Sequence, residues 1–161
     1  MKDEVKYFAY GSNLNLQQME ERGVVVKSAQ RADLPGWKLA FTVYSEGWKG
    51  GVADILPHPE ERIEGIVYEL KKKDMKELDR YEGRKLRNKM EVGMYRRQHL
   101  PVKIGDEWKT VLTYLVNMAV EYKKEMELKP SRGYMKTILS GAEEHGLSTD
   151  YIQRLKSIDH R

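Results

Sequence analysis

Two hydrophobic rhythms share this chain, and their order limits what it can fold into. Up to about residue 117 most apolar residues alternate, as half-buried strands require. Beyond residue 130 they recur every three or four positions, as helices require. Val5 to Tyr10 predicts a first strand, broken by Gly11-Ser12-Asn13, and Leu14 to Arg22 predicts a short helix closed by Gly23. Lys38 to Tyr44 predicts a strand with Leu39, Phe41 and Val43 on one face. Val52–Leu56 and Ile63–Leu70 predict two more, separated by Pro57 and Pro59. Gly93–Ile104 and Thr110–Asn117 predict a late pair joined through Gly105-Asp106. A helix follows from Gly133 to His145, capped by Ser131 and stopped by Gly146. Another starts after Ser148, where Leu147 and Ile152 have the spacing of a hydrophobic staple.

Such an order is an α+β layout, not a repeating βαβ array. About six strands in one small domain suffice to close a barrel, although periodicity alone does not show closure. The 161 residues hold no repeat, linker or low-complexity tract, so one domain is expected over residues 1–161.

Composition removes whole classes of chemistry. With no cysteine there is no disulfide, thiolate metal site or thiol nucleophile. The opening Met1-Lys2-Asp3-Glu4-Val5-Lys6 carries no apolar run, so no secretory leader is expected. No stretch approaches the ~18 apolar residues of a membrane span. The expectation is a cytoplasmic protein without a membrane partner. His58, His99, His145 and His160 lack paired spacing, which argues for structural or surface roles and no metal. Trp37, Trp48 and Trp108 are flanked by turn residues and are expected to pack at strand ends. There are 29 Lys and Arg against 25 Asp and Glu, and most of this charge is mixed in sign, as on a solvated face. One segment differs: Arg84, Lys85, Arg87, Lys89, Arg96 and Arg97 oppose only Glu91. It is a candidate for drawing in anionic compounds.

Two segments carry candidate chemistry. Asp74 and Glu77 have capping-box spacing and Gly83 is a natural stop, which predicts a helix between them. On it Met75, Leu78 and Glu82 share one stripe. Glu82 would then be a carboxylate on the core side at the negative end of the helix dipole. Burial and dipole would both raise its pKa towards a range suited to proton transfer. The same pattern also describes a boundary glutamate whose head reaches solvent. The second segment, Tyr7-Phe8-Ala9-Tyr10-Gly11-Ser12-Asn13, runs from a strand through a glycine turn into a helix. Its backbone N–H groups, with the Ser12 and Asn13 side chains, would suit an anion. An ordinary capped turn would look the same.

Together, Tyr10-Gly11-Ser12-Asn13-Leu14 and Leu78-Asp79-Arg80-Tyr81-Glu82-Gly83 resemble the γ-glutamylcyclotransferase family. So do Trp48 to Ala53, Gly65 to Tyr68, Gly93 to Tyr95, Tyr134 to Ile138 and Gly141 to Leu147, in the same order. The resemblance implies a small mixed β-barrel flanked by helices. It implies an enzyme that turns the glutamyl group of a small γ-glutamyl amide into 5-oxoproline and frees the amine. It places the catalytic acid/base on Glu82, the substrate cradle on Tyr7, Phe8, Ala9, Tyr10, Gly11 and Ser12, and a substrate-contacting tyrosine on Tyr134. It implies no metal or organic cofactor. Asn13 is a further candidate from its place in the turn. Tyr114 either faces the pocket or packs in the barrel. The stretch between Gly83 and Gly93 is longer than in mammalian-type members, which bears on the leaving amine.

The residues fit this chemistry. Amine and carbonyl belong to one molecule, so a loop that folds the substrate contributes by proximity. A single carboxylate can take the proton and return it, and no nucleophile is needed. Two other classes stand beside this one: a non-catalytic binding module of the same fold, and a basic RNA-binding domain, which would need its charge and aromatics on one face. No nucleic-acid partner is expected, and monomer or homodimer stays open.

Overall fold

The computed structural model describes residues 3–161; Met1 and Lys2, where the expected single domain begins and on which the expectation of no secretory leader rests, lie outside the described residues. The chain runs β1 (Glu4–Ala9), a 3-10 turn (Ser12–Leu14), α1 (Leu16–Glu21), β2 (Ser28–Ser45) and β3 (Gly50–Lys71). It continues with α2 (Lys72–Tyr81), β4 (Leu86–Arg87), β5 (Met90–Glu91), β6 (Tyr95–Ile104) and β7 (Glu107–Val116), and ends in α3 (Val120–Lys123), α4 (Arg132–Glu144) and α5 (Thr149–Lys156). Five strands close a barrel in the order β1-β3-β2-β6-β7. Closure comes from β7 lying parallel to β1, with Tyr7 opposite Leu112, while the other pairings are antiparallel. The fold is therefore the expected mixed α+β barrel.

The count is five strands, not about six, because the two segments expected on either side of Pro57 and Pro59 belong to one strand. Pro57 pairs with Trp37, and Pro35 with Arg62. The ladder thus skips His58 to Glu61, which bulge from it, and the prolines sit where few ladder bonds are asked of them. On β2 the matching irregularity falls at Gly36, whose φ of +85° is open to glycine without strain. The strand expected from Lys38 to Tyr44 therefore begins ten residues earlier, at Ser28.

Two helix starts also differ from expectation. Helix α2 begins after Lys71, which makes no side-chain cap, so Asp74 lies inside the first turn and no capping box forms. Asp74 instead accepts the Val25 N–H at 3.1 Å. The helix expected from Leu14 is a 3-10 turn followed by α1, whose cap is Asn15, accepting from Gln18 N at 3.1 Å. The late helices start as expected: Ser131 accepts from Tyr134 N and Ser148 from Tyr151 N, each at 3.2 Å.

Ser148 also ties α5 to the barrel. Its N–H and hydroxyl donate to the two oxygens of buried Glu64, at 2.9 and 2.5 Å. Burial pushes the Glu64 carboxyl up, but the Ser148 bonds and the nearby Arg31 and Arg62 more than offset it, so its pKa is lowered. A lowered carboxylate pKa contributes stability at neutral pH that is lost as pH falls through the folded-state value. Ser148→Ala is expected to cost about 1–2 kcal/mol, the scale of a lost helix cap. Thermal melts should show a gap from the native protein at pH 7 that narrows in acid.

Candidate active site

The cavity opens where β1 leaves the barrel and α2 ends. It encloses about 310 Å³ including its mouth, and its walls come from Tyr7, Tyr10, Gly11, Ser12, Asn13 and Glu82, with Ala53, Tyr95, Tyr114 and Tyr134. Strand alternation brings the Tyr7 side chain inward, and the break at Gly11 turns the backbone across the opening. Gly11 is there because of space: a Cβ would lie 3.0 Å from the Ala53 Cβ and 3.4 Å from the Tyr134 hydroxyl. The first N–H groups of the 3-10 turn, on Ser12 and Asn13, have no partner within the turn.

Glu82 is the residue that ends α2, its N–H bonded to Leu78 C=O at 2.9 Å. Met75 and Leu78 are fully buried and pull this face of the helix onto the barrel. The Glu82 side chain keeps only 16% of its exposure. Burial raises its pKa, against the opposing pull of Arg22 and an Asn13 hydrogen bond, while Asp79 adds a further upward push. The reading in which the head reaches free solvent does not describe this side chain.

Asn13 holds the site together. Its Nδ2 donates to the Tyr7 hydroxyl at 2.9 Å and to Glu82 Oε1 at 3.0 Å. Its Oδ1 accepts from Gln18 Nε2 at 3.0 Å and Arg22 Nη1 at 2.9 Å. Gln18 also donates to Ser12 Oγ at 2.7 Å, so α1 orients the whole turn. Arg22 stands 3.6 Å from Glu82 Oε1 and lies over the Tyr81 ring.

Tyrosines make the rest of the wall. Tyr134 accepts the Ala53 N–H at 2.8 Å and Tyr95 donates to the Ala53 C=O at 2.5 Å. The next residue, Asp54, is fully buried; it accepts from Thr42 and Val116 N and pairs with buried Lys123 at 3.1 Å. Tyr10 donates to Tyr114 C=O at 2.6 Å, and Tyr114 donates to Asp79 Oδ1 at 2.6 Å. Burial raises the pKa of all five tyrosines, so their hydroxyls stay protonated across the working range. Among the described residues no three His, Asp or Glu side chains gather as a metal site.

Of the residues singled out from the sequence, Tyr7, Tyr10, Gly11, Ser12, Asn13, Glu82, Tyr114 and Tyr134 meet at this cavity. Phe8 and Ala9 do not. Phe8 is fully buried on the opposite side of the strand from Tyr7, and Ala9 pairs with Ile66 in the ladder. Tyr95, Ala53, Arg22, Gln18 and Asp79 were missed. Tyr95 and Ala53 stood in runs already seen as family-like, but nothing in their spacing pointed inward. In the basic segment two of the six cations are taken up by carboxylates, while Lys85, Arg87 and Lys89 stay exposed. Arg84 forks onto Glu91 at 2.9–3.0 Å and reaches Asp79 at 3.1 Å, and Arg97 grips Asp79 at 2.7 and 2.9 Å. Trp108 is exposed rather than packed, while Trp48 lies edge-on to Tyr134.

A closed five-stranded barrel that desolvates one glutamate beside a tyrosine-walled cavity defines the class of protein. The model of the AIG2-like family matches residues 62–155. Human γ-glutamylcyclotransferase is 32% identical over 157 residues, 95% of this chain and 78% of the human one. A solved γ-glutamyl cyclotransferase superposes with a TM-score of 0.82 at 30% identity, over 99% of this chain and 90% of that one. YkqA of Bacillus subtilis, a putative γ-glutamylcyclotransferase, is 31% identical over 96% of this chain and 52% of its own length. The chain belongs to the γ-glutamylcyclotransferase family within the AIG2-like proteins. No helix among the described residues is long and apolar enough to cross a membrane.

Proposed function

We propose that this chain is a γ-glutamylcyclotransferase, acting as a single cytoplasmic domain on a small γ-glutamyl amide, with no nucleic acid as partner. The observation that carries this reading is the desolvated Glu82 carboxyl, bonded through Asn13 to Tyr7 at the wall of a cavity that the Gly11–Asn13 turn also lines.

The reaction asks little else of the protein. The substrate α-ammonium first gives up a proton to solvent. The neutral amine then attacks the γ-carbonyl carbon, a C–N bond closes the five-membered ring, and the amide C–N bond breaks. The ring nitrogen gives one proton to Glu82, which returns it to the departing amine. Oε1 of Glu82 is held by Asn13, and Oε2 accepts no hydrogen bond among the described residues, which leaves it free to exchange the proton. A pKa above the ordinary carboxylate value makes Glu82 a better base and an available acid near neutral pH. The Ser12 and Asn13 N–H groups suit the substrate carboxylate or the oxyanion formed at the γ-carbon. Neutral tyrosine hydroxyls, with the aliphatic Ala53, give the folded glutamyl chain a wall without competing charge.

Incubation with a panel of γ-glutamyl amides, with 5-oxoproline quantified, tests the reading. Release from at least one member is expected, and salt-sensitive RNA binding without release from any member would defeat it. Arg22 offers a second check. Its cation lowers the Glu82 pKa, so Arg22→Gln removes an attraction for the carboxylate and the pKa rises further. The acidic limb of the kcat/KM profile should move to higher pH, and an unmoved limb would separate that limb from Glu82.

A further inference from the structure

The leaving amine has to sit within hydrogen-bond reach of the carboxyl group that returns its proton. Glu82 lines two adjoining cavities. The inner one is described above and fits the glutamyl half. The outer one, of about 630 Å³ including its mouth, shares Ser12, Tyr95 and Tyr134 with it. Of the outer cleft's own residues, Trp48, Val52, Tyr81 and Met94 are apolar; the others are Ser45, Gly83, Arg22, which is engaged by Asn13 and the Tyr81 ring, and Arg80, which pairs with Glu77.

These side chains are not covered by the fold. Tyr81 is 55% exposed and Met94 45%. Among the described residues eleven large apolar side chains are exposed, and five of them fall between residues 81 and 94: Tyr81, Leu86, Met90, Val92 and Met94. Scattered exposed apolar groups are ordinary, but Tyr81 and Met94 line the cleft itself, where exposed apolar surface marks a binding site. The walls are also held in place. The Arg22 guanidinium lies 4.9 Å from the Tyr81 ring centre, and Met94 N–H bonds Gly83 C=O at 2.9 Å. Trp48 is braced edge-on against Tyr134, with ring centres 5.0 Å apart.

We propose that the outer cleft takes the leaving half of the substrate and selects a leaving amine with a large apolar body, with Tyr81 and Met94 setting the preference. This rests on the cyclotransferase reading of the same site. The amide C–N bond breaks at the junction of the two cavities, and the amine leaves through the outer one carrying the proton from Glu82.

The test uses γ-glutamyl methylamide, n-butylamide and phenethylamide, whose leaving groups differ in apolar size but not in charge. For the native protein kcat/KM should rise about 10–100-fold from methyl to phenethyl, the scale of filling an apolar pocket. In Tyr81→Ser/Met94→Ser that ratio should shrink to about threefold or less. Both side chains are exposed, and a matching melting temperature shows that the fold is kept. A flat native series with 5-oxoproline still released overturns the apolar preference and leaves the reaction standing. A steep series that the double variant does not flatten overturns the assignment to Tyr81 and Met94. If no γ-glutamyl amide yields 5-oxoproline, the reaction falls and this inference with it.

Discussion

Glu82→Gln is expected to lower 5-oxoproline release by about 10²–10⁴-fold, the range for removing one general acid/base. Glutamine keeps the shape and the carbonyl oxygen that accepts from Asn13, so the loop keeps its partner. What goes is the ability to hold and return a proton. The effect should fall on kcat, because binding of the glutamyl half draws on the 11–13 turn and the tyrosine wall. Stability should move the other way. A carboxyl group whose folded pKa is raised contributes stability below its unfolded pKa, and that contribution is lost as pH rises through the folded value. At neutral pH the native protein therefore carries the cost of a charge held away from water, and the glutamine variant does not. Its melting temperature relative to native should climb from acid to neutral pH. Equal turnover by the variant would remove Glu82 from the mechanism. A lower melting temperature at neutral pH would show that the carboxylate stabilises the fold instead.

Gly141→Ala is expected to damage both stability and turnover. Helix α4 crosses the 3-10 turn at this glycine, and a Cβ there would lie 2.4 Å from the Leu14 carbonyl carbon and 2.5 Å from its oxygen. Those atoms are backbone, so no side chain can swing aside. The gain in helix propensity from alanine, about 1 kcal/mol, works against the clash but is smaller than it. A net loss of about 3 kcal/mol is expected from overpacking. For a chain of this length that corresponds to a melting temperature lower by roughly 6–12 °C. The turn that has to shift carries Ser12 and Asn13, so kcat/KM should fall as well, by about 10²-fold for a displacement near 1 Å. Native melting and turnover would mean that α4 can slide without moving the turn.

Much of this site was legible before the fold was known, because local rules governed it. Gly11 breaking a strand, Gly83 ending a helix and the stripe through Met75, Leu78 and Glu82 all depend on residues close in sequence. Asn15 and Arg22 belong to the same local logic, yet Arg22 reaches Glu82 only because α1 folds back over the mouth. The Tyr134 and Tyr95 bonds to Ala53 join residues 81 and 42 positions apart, which no periodicity reports. The barrel's length was hidden for another reason. Pro35, Pro57 and Pro59 carry turn signals, and here the β2–β3 ladder absorbs them in a bulge. The pairing of Arg84 and Arg97 with Asp79 was not legible, because the three meet only once α2 and β6 are folded together.

The β4–β5 hairpin has one more property. It leaves and rejoins the barrel at neighbouring points, with Met94 N–H on Gly83 C=O and Val92 N–H on Lys85 C=O, and it turns through Asn88 and Lys89, both at positive φ. None of its residues takes part in the closed ladder. Such an insert can be shortened, lengthened or swapped while the scaffold underneath stays as it is. Laboratory libraries thus have an exchangeable cassette next to the candidate site, through which amine specificity can be varied without altering Glu82 or the turn.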